Sequence, residues 1–234
     1  MYQTKNYHKY GHLVSFLSAV SLFALGLALF TLSYFPRLAC LRNRIHFNLF
    51  VSMALKSVCL LIVDLVISSE TSLSSFTCQV PILALHYFEL CSMAWVAIEA
   101  YYLHLLIYIT FVSADYSRRM VIFHAVGYVA PAILVLIWAS LKVANGDNER
   151  CWHGDKHVDI VELVWKGPRL AVNIFNFTIF ASTLKALVST FNKIGSDSID
   201  LAKATLSLIP LFGLHEIIDV QRTLYGADTG ETVD

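Results

Sequence analysis

Long apolar stretches recur along the chain and are separated by short polar segments. Residues 10–36 and 120–141 contain no Asp, Glu, Lys or Arg, and each stretch is long enough to cross a bilayer as a helix, which needs about 20 apolar residues. Four further apolar stretches are interrupted by only a few charges. We therefore predict six membrane spans at residues 12–33, 46–67, 80–112, 120–141, 164–187 and 201–218, with polar tails at 1–11 and 219–234.

The predicted spans are helices of an all-α, polytopic membrane bundle, because none shows the polar and apolar alternation of a barrel strand. Their orientation follows from the connections between them. The first connection carries Arg37, Arg42 and Arg44, the third carries Arg118 and Arg119, and the second carries neither Lys nor Arg. Because positive residues collect in cytoplasmic loops, we predict that the N-terminus lies outside.

The composition agrees with a membrane protein and excludes several functions. Hydrophobic residues make up 57% of the chain and charged residues 15%, whereas soluble domains are about 25% charged. Lys+Arg equals Asp+Glu at 17 each, so no net charge favours a nucleic-acid partner. No Gly-rich phosphate loop, metal-ligand spacing or nucleophile motif occurs, and we expect neither an enzyme nor a bound cofactor.

The predicted topology sorts four of the five cysteines into two groups. Cys78 and Cys151 fall on the outer, oxidising side, where a disulfide between them would tie the loop before span 5 to the start of span 3. Cys59 and Cys91 fall inside spans and are expected to be small packing residues.

Ionisable residues within the spans are the main candidates for function, because each costs at least about 2.5 kcal/mol at a helix centre unless it pairs or meets water. Lys56, Asp64 and Glu89 are interpreted either as ligand contacts or as structural hydrogen bonds between helices, and the sequence leaves both open. His46 and Glu99 lie nearer the cytoplasmic side and are expected to form an inner polar lock between spans 2 and 3.

Span 6 contains Pro210 and, three residues later, Gly213. A proline removes one helical hydrogen bond and a glycine loosens the same turn, so we predict a kink there.

Five segments in order along the chain resemble the secretin-like family, the class B peptide-hormone G-protein-coupled receptors. Each segment alone is a weak signal, but five in the expected order are specific. They are LRNRIHFNLFVSMALKS (41–57), AWVAIEAYYLHLLI (94–107), CWHG (151–154), WKGPRLAVNIFNF (165–177) and LAKATLSLIPLFGLHEII (201–218).

The resemblance implies roles for individual residues. It completes the inner polar lock as His46, Glu99 and Thr205, and makes the kink at Pro210 and Gly213 the hinge of span 6. It implies a ligand pocket formed by Lys56, Asp64, Glu89, Ser92, Trp152, His215 and Glu216. It also implies the Cys78–Cys151 disulfide, a packing role for Asn176, and a G-protein-facing cytoplasmic side that includes Arg42, Arg44 and Lys203.

By this resemblance the protein is a multi-pass plasma-membrane receptor that binds a peptide hormone and signals through a heterotrimeric G protein and cyclic AMP. The sequence departs from the family pattern because neither a large extracellular domain nor a seventh span is visible. We therefore expect a truncated form that does not signal alone and is retained in the endoplasmic reticulum. The alternative is an interaction partner that forms a homo- or hetero-dimer with an intact receptor.

A third reading is a small transporter or channel that uses Glu89, Glu99 and His46 as a proton relay. No internal repeat relates the first three spans to the last three, so this reading is disfavoured.

Overall fold

The computed structural model describes residues 2–34, 41–68, 75–108, 116–145, 152 and 159–194, and this part of the chain contains helices and no strands. The all-α class predicted from the sequence is thereby confirmed. The helices are α1 (Tyr2–Tyr34), α2 (Leu41–Ser68), α3 (Ser75–Tyr108), α4 (Tyr116–His124), a π-helical segment (Ala125–Val129), α5 (Ala130–Ala144) and α6 (Asp159–Ile194).

Three stretches of the described helices are long and apolar enough to cross a membrane, and they correspond to predicted spans 2, 3 and 4. They are Leu41–Val66, Gln79–Leu106 and Arg118–Ala144. The fourth span is built from α4, the π-helical segment and α5. A shorter apolar stretch, Ser18–Tyr34, lies in predicted span 1, and α6 contains predicted span 5. Predicted span 6 and the tail at 219–234 lie outside the described residues.

The helices extend beyond the predicted spans. The backbone is already helical at Tyr2, so residues 2–11 of the expected tail belong to α1, and α6 begins at Asp159 rather than at residue 164. Hydropathy marks where apolar residues begin, whereas a helix satisfies its backbone hydrogen bonds through polar residues as well. The predicted bounds concern the membrane-crossing parts of these helices and stay a prediction.

Six hydroxyl groups inside the described helices are satisfied by the helix that carries them. Each donates a hydrogen bond to a carbonyl oxygen three or four residues earlier, as a buried or lipid-facing hydroxyl must when no water is near. These hydroxyls belong to Thr31, Ser52, Ser57, Ser92, Ser140 and Thr178.

The described helices form two compact units, and the first contains α1, α2, α3 as far as Trp95, α4, the π-helical segment, α5 and the start of α6. Within it α1 packs against α2. The indole of Trp95 is fully buried, as is Ser52 on α2. The surface carries large apolar side chains such as Leu65 and Val121, as expected for helices surrounded by lipid.

The second unit contains α3 from Val96 onwards and α6 from Trp165 onwards. Its buried polar residues are Glu99 on α3 and Asn173 and Asn176 on α6. On α6 the guanidinium of Arg169 lies over the Trp165 ring at 5.0 Å from the centroid, a cation–π contact.

A π-helical segment interrupts the fourth span just before Pro131. The backbone N–H of Ala130 bonds to the carbonyl of Ala125, five residues earlier. Because Pro131 has no N–H, the helix cannot keep its regular bonding at this point, and a π turn absorbs the irregularity. The segment also holds Gly127, where an added Cβ would lie 2.6 Å from the nearest atom of the Trp95 side chain.

Candidate functional site

The first cluster of functional side chains is a charged group shared by α2 and α3. The Nζ atom of Lys56 lies 4.0 Å from Oε1 of Glu89, and Oε2 of Glu89 lies 3.8 Å from Nδ1 of His86. The side chains of Lys56 and Glu89 are 20% and 15% exposed. The structure thus brings together two residues that the sequence proposed separately as ligand contacts.

Local helix geometry accounts for part of this cluster. His86 and Glu89 are three residues apart on α3 and therefore lie on the same face of that helix. Lys56 reaches the cluster from α2. This helix lies in the same compact unit as the part of α3 that ends at Trp95. We name Lys56, Glu89 and His86 the charged cluster.

Aromatic rings continue from the charged cluster towards the loop that precedes α6. The His86 ring meets the Trp138 ring edge-on at 4.9 Å between centroids, and Trp138 meets Trp152 edge-on at 5.5 Å. Edge-to-face geometry at these distances is favourable for aromatic pairs. Trp152 has a φ of 56°, so its backbone lies in the left-handed region that non-glycine residues rarely adopt.

Two further predicted pocket residues lie on the same two helices. Ser92 is 2% exposed, and its hydroxyl donates to the carbonyl of Glu89 at 2.8 Å. Asp64 is half-buried on α2. The hydroxyl of Ser92 is therefore engaged with its own helix rather than turned to the charged cluster.

A second polar junction lies within the same unit and joins α2 to the π-helical segment. The hydroxyl of Tyr128 donates to Oδ1 of Asn48 at 3.0 Å. The Tyr128 ring lies 5.3 Å from the Trp95 ring, which packs over Gly127. These contacts tie three spans together at one point.

The proposed inner polar lock is only partly described. His46 is half-buried and its ring stacks on that of Phe50 with 6.0 Å between centroids. Glu99 is 1% exposed in the second unit. Thr205 lies outside the described residues, and the lock stays a prediction.

Some of the remaining predicted site residues lie in the described part of the chain and others do not. Asn176 is 4% exposed, Arg42 is half-buried and Arg44 is exposed, and the roles predicted for these residues stay predictions. Cys59 and Cys91 are buried and carry free thiols, as expected of small packing residues. The residues of the proposed hinge, pocket and cytoplasmic side in span 6 are outside the described part of the chain: Lys203, Pro210, Gly213, His215 and Glu216.

The Cys78–Cys151 disulfide also stays a prediction, because Cys151 and the side chain of Cys78 are outside the described residues. In the part of the chain that the structure describes, no group of three His, Cys, Asp or Glu side chains could hold a metal ion.

Four residues that make these contacts were not among the predicted site residues: His86, Trp138, Asn48 and Tyr128. The three-residue spacing of His86 and Glu89 was a usable signal. A polar Asn48 within an apolar span was another. The contacts of Trp138 and Tyr128 depend on how the spans pack, and no local pattern in the sequence indicates them.

Comparison with known proteins places this arrangement in a family of receptors. The family model described as 7 transmembrane receptor (Secretin family) matches residues 10–224. The chain is 30% identical over 230 residues to the parathyroid hormone/parathyroid hormone-related peptide receptor of Didelphis virginiana, covering 86% of the chain and 38% of that receptor.

Two other curated relatives are similar to the chain over the same share of its length. The glucagon-like peptide 2 receptor of Rattus norvegicus is 34% identical over 221 residues, covering 86% of the chain and 39% of the receptor. The vasoactive intestinal polypeptide receptor of Carassius auratus is 32% identical over 213 residues, covering 86% and 47%. The chain thus spans less than half the length of these relatives.

Proposed function

The chain belongs to the secretin family of seven-transmembrane receptors, and from this premise we propose that it binds a peptide hormone and signals through a heterotrimeric G protein. The names of its relatives support the ligand class, since each is a receptor named for a peptide. The observation that carries the proposal is the charged cluster, because three ionisable side chains meet between two membrane spans and remain partly exposed.

A functional role explains the position of the charged cluster better than a purely structural role does. Ionisable residues within membrane spans are costly and usually face a water-filled cavity or a ligand pathway. Lys56 and Glu89 keep 20% and 15% of their side-chain surface accessible, so a ligand group can reach them. The buried ring of Trp138 joins the charged cluster to Trp152, which is half-buried.

In this proposal, binding at the charged cluster shifts the receptor between two conformations. A ligand that binds one state more tightly shifts the population towards it. The inner polar lock and the hinge of span 6 respond to that shift, and the G protein contacts the end of the receptor that carries Arg42 and Arg44. The signal passes through the stimulatory G protein to cyclic AMP.

The proposal includes a location. The receptor lies in the plasma membrane as a multi-pass protein with its N-terminus outside, which agrees with the arginine-rich first and third connections. In this orientation Trp152 lies on the side from which a hormone arrives.

The test is a cyclic AMP assay on cells that express the full-length protein. The peptides applied are parathyroid hormone, glucagon-like peptide 2, vasoactive intestinal polypeptide and corticotropin-releasing factor. We expect at least one peptide to raise cyclic AMP. We expect Lys56→Met to reduce its potency by about tenfold, which corresponds to a loss of about 1.4 kcal/mol of binding free energy.

Ser140→Ala is the matched control, because the Ser140 hydroxyl is exposed and bonds to the carbonyl of Ile137 in its own helix. Its potency should equal that of the unchanged protein. Absence of any peptide response from protein that reaches the cell surface would contradict the proposed signalling, and an undiminished response in Lys56→Met would contradict the proposed site.

A further inference from the structure

The carboxylate of Glu89 is divided between two partners. Its Oε1 atom lies 4.0 Å from Nζ of Lys56, and its Oε2 atom lies 3.8 Å from Nδ1 of His86. Both distances are longer than the 2.7 to 3.2 Å of a direct hydrogen bond. Lys56 and Glu89 therefore interact as opposite charges at 4.0 Å rather than through a direct hydrogen bond between these two atoms.

This arrangement sets the charge that a ligand meets at Lys56. Opposite charges attract much more strongly in a protein interior than in water, so a carboxylate 4.0 Å away offsets most of the field of the Lys56 ammonium. A carboxylate brought by a ligand would face repulsion from Glu89 as well as attraction by Lys56.

The charges on the neighbouring helical turns preserve this neutrality. Outward from the level of Lys56 in the predicted orientation, the described helices of the first unit carry four cations and four anions: Lys5, Lys9, Lys56 and Lys142 against Asp64, Glu89, Asp159 and Glu162. His86 is packed against the Trp138 ring, so the surface next to the pair is aromatic. No excess positive charge on these helices would attract an acidic ligand group.

We propose that Glu89 is a specificity-determining residue that serves as the internal counter-ion of Lys56. It makes the site accept a neutral or cationic ligand group next to Lys56 and disfavour a carboxylate there. The proposal deepens the proposed receptor function and rests on it only in assuming that a ligand reaches this site. The proposal predicts that removal of the negative charge of Glu89 allows a carboxylate to bind next to Lys56.

The test measures thermal unfolding of the purified full-length protein in detergent, with acetate as the probe for a carboxylate. Acetate replaces chloride at constant ionic strength, and acetamide at the same concentration serves as the neutral control. In Glu89→Gln we expect acetate to raise the melting temperature by about 3 °C at roughly ten times its dissociation constant. Acetamide should not raise it, and acetate should not stabilise the unchanged protein.

The double variant Lys56→Met/Glu89→Gln identifies the cation responsible, since it should lose the response to acetate. An equal response to acetate in the unchanged protein and in Glu89→Gln would overturn the proposal. So would folded Glu89→Gln protein, with helical circular dichroism and a monodisperse elution profile, that does not respond to acetate at all.

A charge exchange keeps the proposal testable if Glu89→Gln does not fold. Lys56→Glu/Glu89→Lys should recover most of the melting temperature that Lys56→Glu or Glu89→Lys loses alone, because the exchange restores an opposite pair. No recovery would overturn the pairing. None of these measurements uses a peptide, so a failed hormone assay and a failed counter-ion test remain distinct results.

Discussion

Replacing Gly127 by alanine should destabilise the protein specifically, because the indole of Trp95 occupies the space that a Cβ needs. The added carbon would lie 2.6, 2.7 and 2.9 Å from three atoms of that ring, closer than carbon atoms approach without displacement. Trp95 is 0% exposed, so its rigid ring is enclosed by protein and can move only if its neighbours shift. Overpacking of this kind costs about 1 to 3 kcal/mol.

Gly26→Ala is the matched control, because nothing lies within 4 Å of a Cβ added to Gly26 in α1. In an exposed helix alanine is better than glycine by about 1 kcal/mol, so this variant should be neutral or slightly more stable. Because the preference of helices for alanine applies at both positions, the free energies of unfolding of the two variants should differ by the overpacking cost alone, roughly 1 to 3 kcal/mol.

The assay is thermal unfolding in detergent, followed by circular dichroism. At about 2 to 4 °C per kcal/mol for a chain of this size, the melting temperatures should differ by several degrees. Trp95→Leu removes the ring and should abolish most of the additional effect of Gly127→Ala. Equal melting temperatures for Gly127→Ala and Gly26→Ala would refute the reasoning.

Two other changes test the packing of the first unit. Tyr128→Phe removes the donor to Asn48 and should lower the free energy of unfolding by about 0.6 kcal/mol, up to 1.7 kcal/mol, the range measured for hydrogen bonds between membrane helices. Tyr101→Phe, at an exposed position on α3, should have no such effect in the same thermal assay, and an equal loss in both would contradict the role of Tyr128. Cys59 and Cys91 are buried, so a maleimide should label them only after denaturation, as measured by intact-protein mass. Rapid labelling of Cys59 or Cys91 in the folded protein would contradict the buried packing of these two side chains.

The helical spans could be predicted because hydrophobicity and length decide whether a segment enters the bilayer. Stretches within Leu41–Val66, Gln79–Leu106 and Arg118–Ala144 are apolar enough to be recognised without any tertiary information. The extension of α1 back to Tyr2 could not be predicted in this way, because polar residues also form helix where the backbone continues its hydrogen bonding.

Two residues of the charged cluster, Lys56 and Glu89, were named from the sequence, but the contact between them was not. Lys56 and Glu89 each attracted attention as a charge inside a span, yet their 4.0 Å pairing depends on the register between α2 and α3. That register is set by the packing of the whole unit, and the sequence of α2 or α3 alone does not reveal it. The π-helical segment was missed for a similar reason, since Pro131 indicates an interruption but not its form.

The most direct test of the account is whether an active peptide contacts the surface that runs from the charged cluster to Trp152. A photoreactive p-benzoylphenylalanine is placed at position 152 or, as a control, at position 177, where Phe177 is 69% exposed on α6. The account predicts that a peptide which raises cyclic AMP cross-links at position 152, is displaced by unlabelled peptide, and does not cross-link at position 177. A peptide that still raises cyclic AMP but cross-links only at position 177 would contradict it.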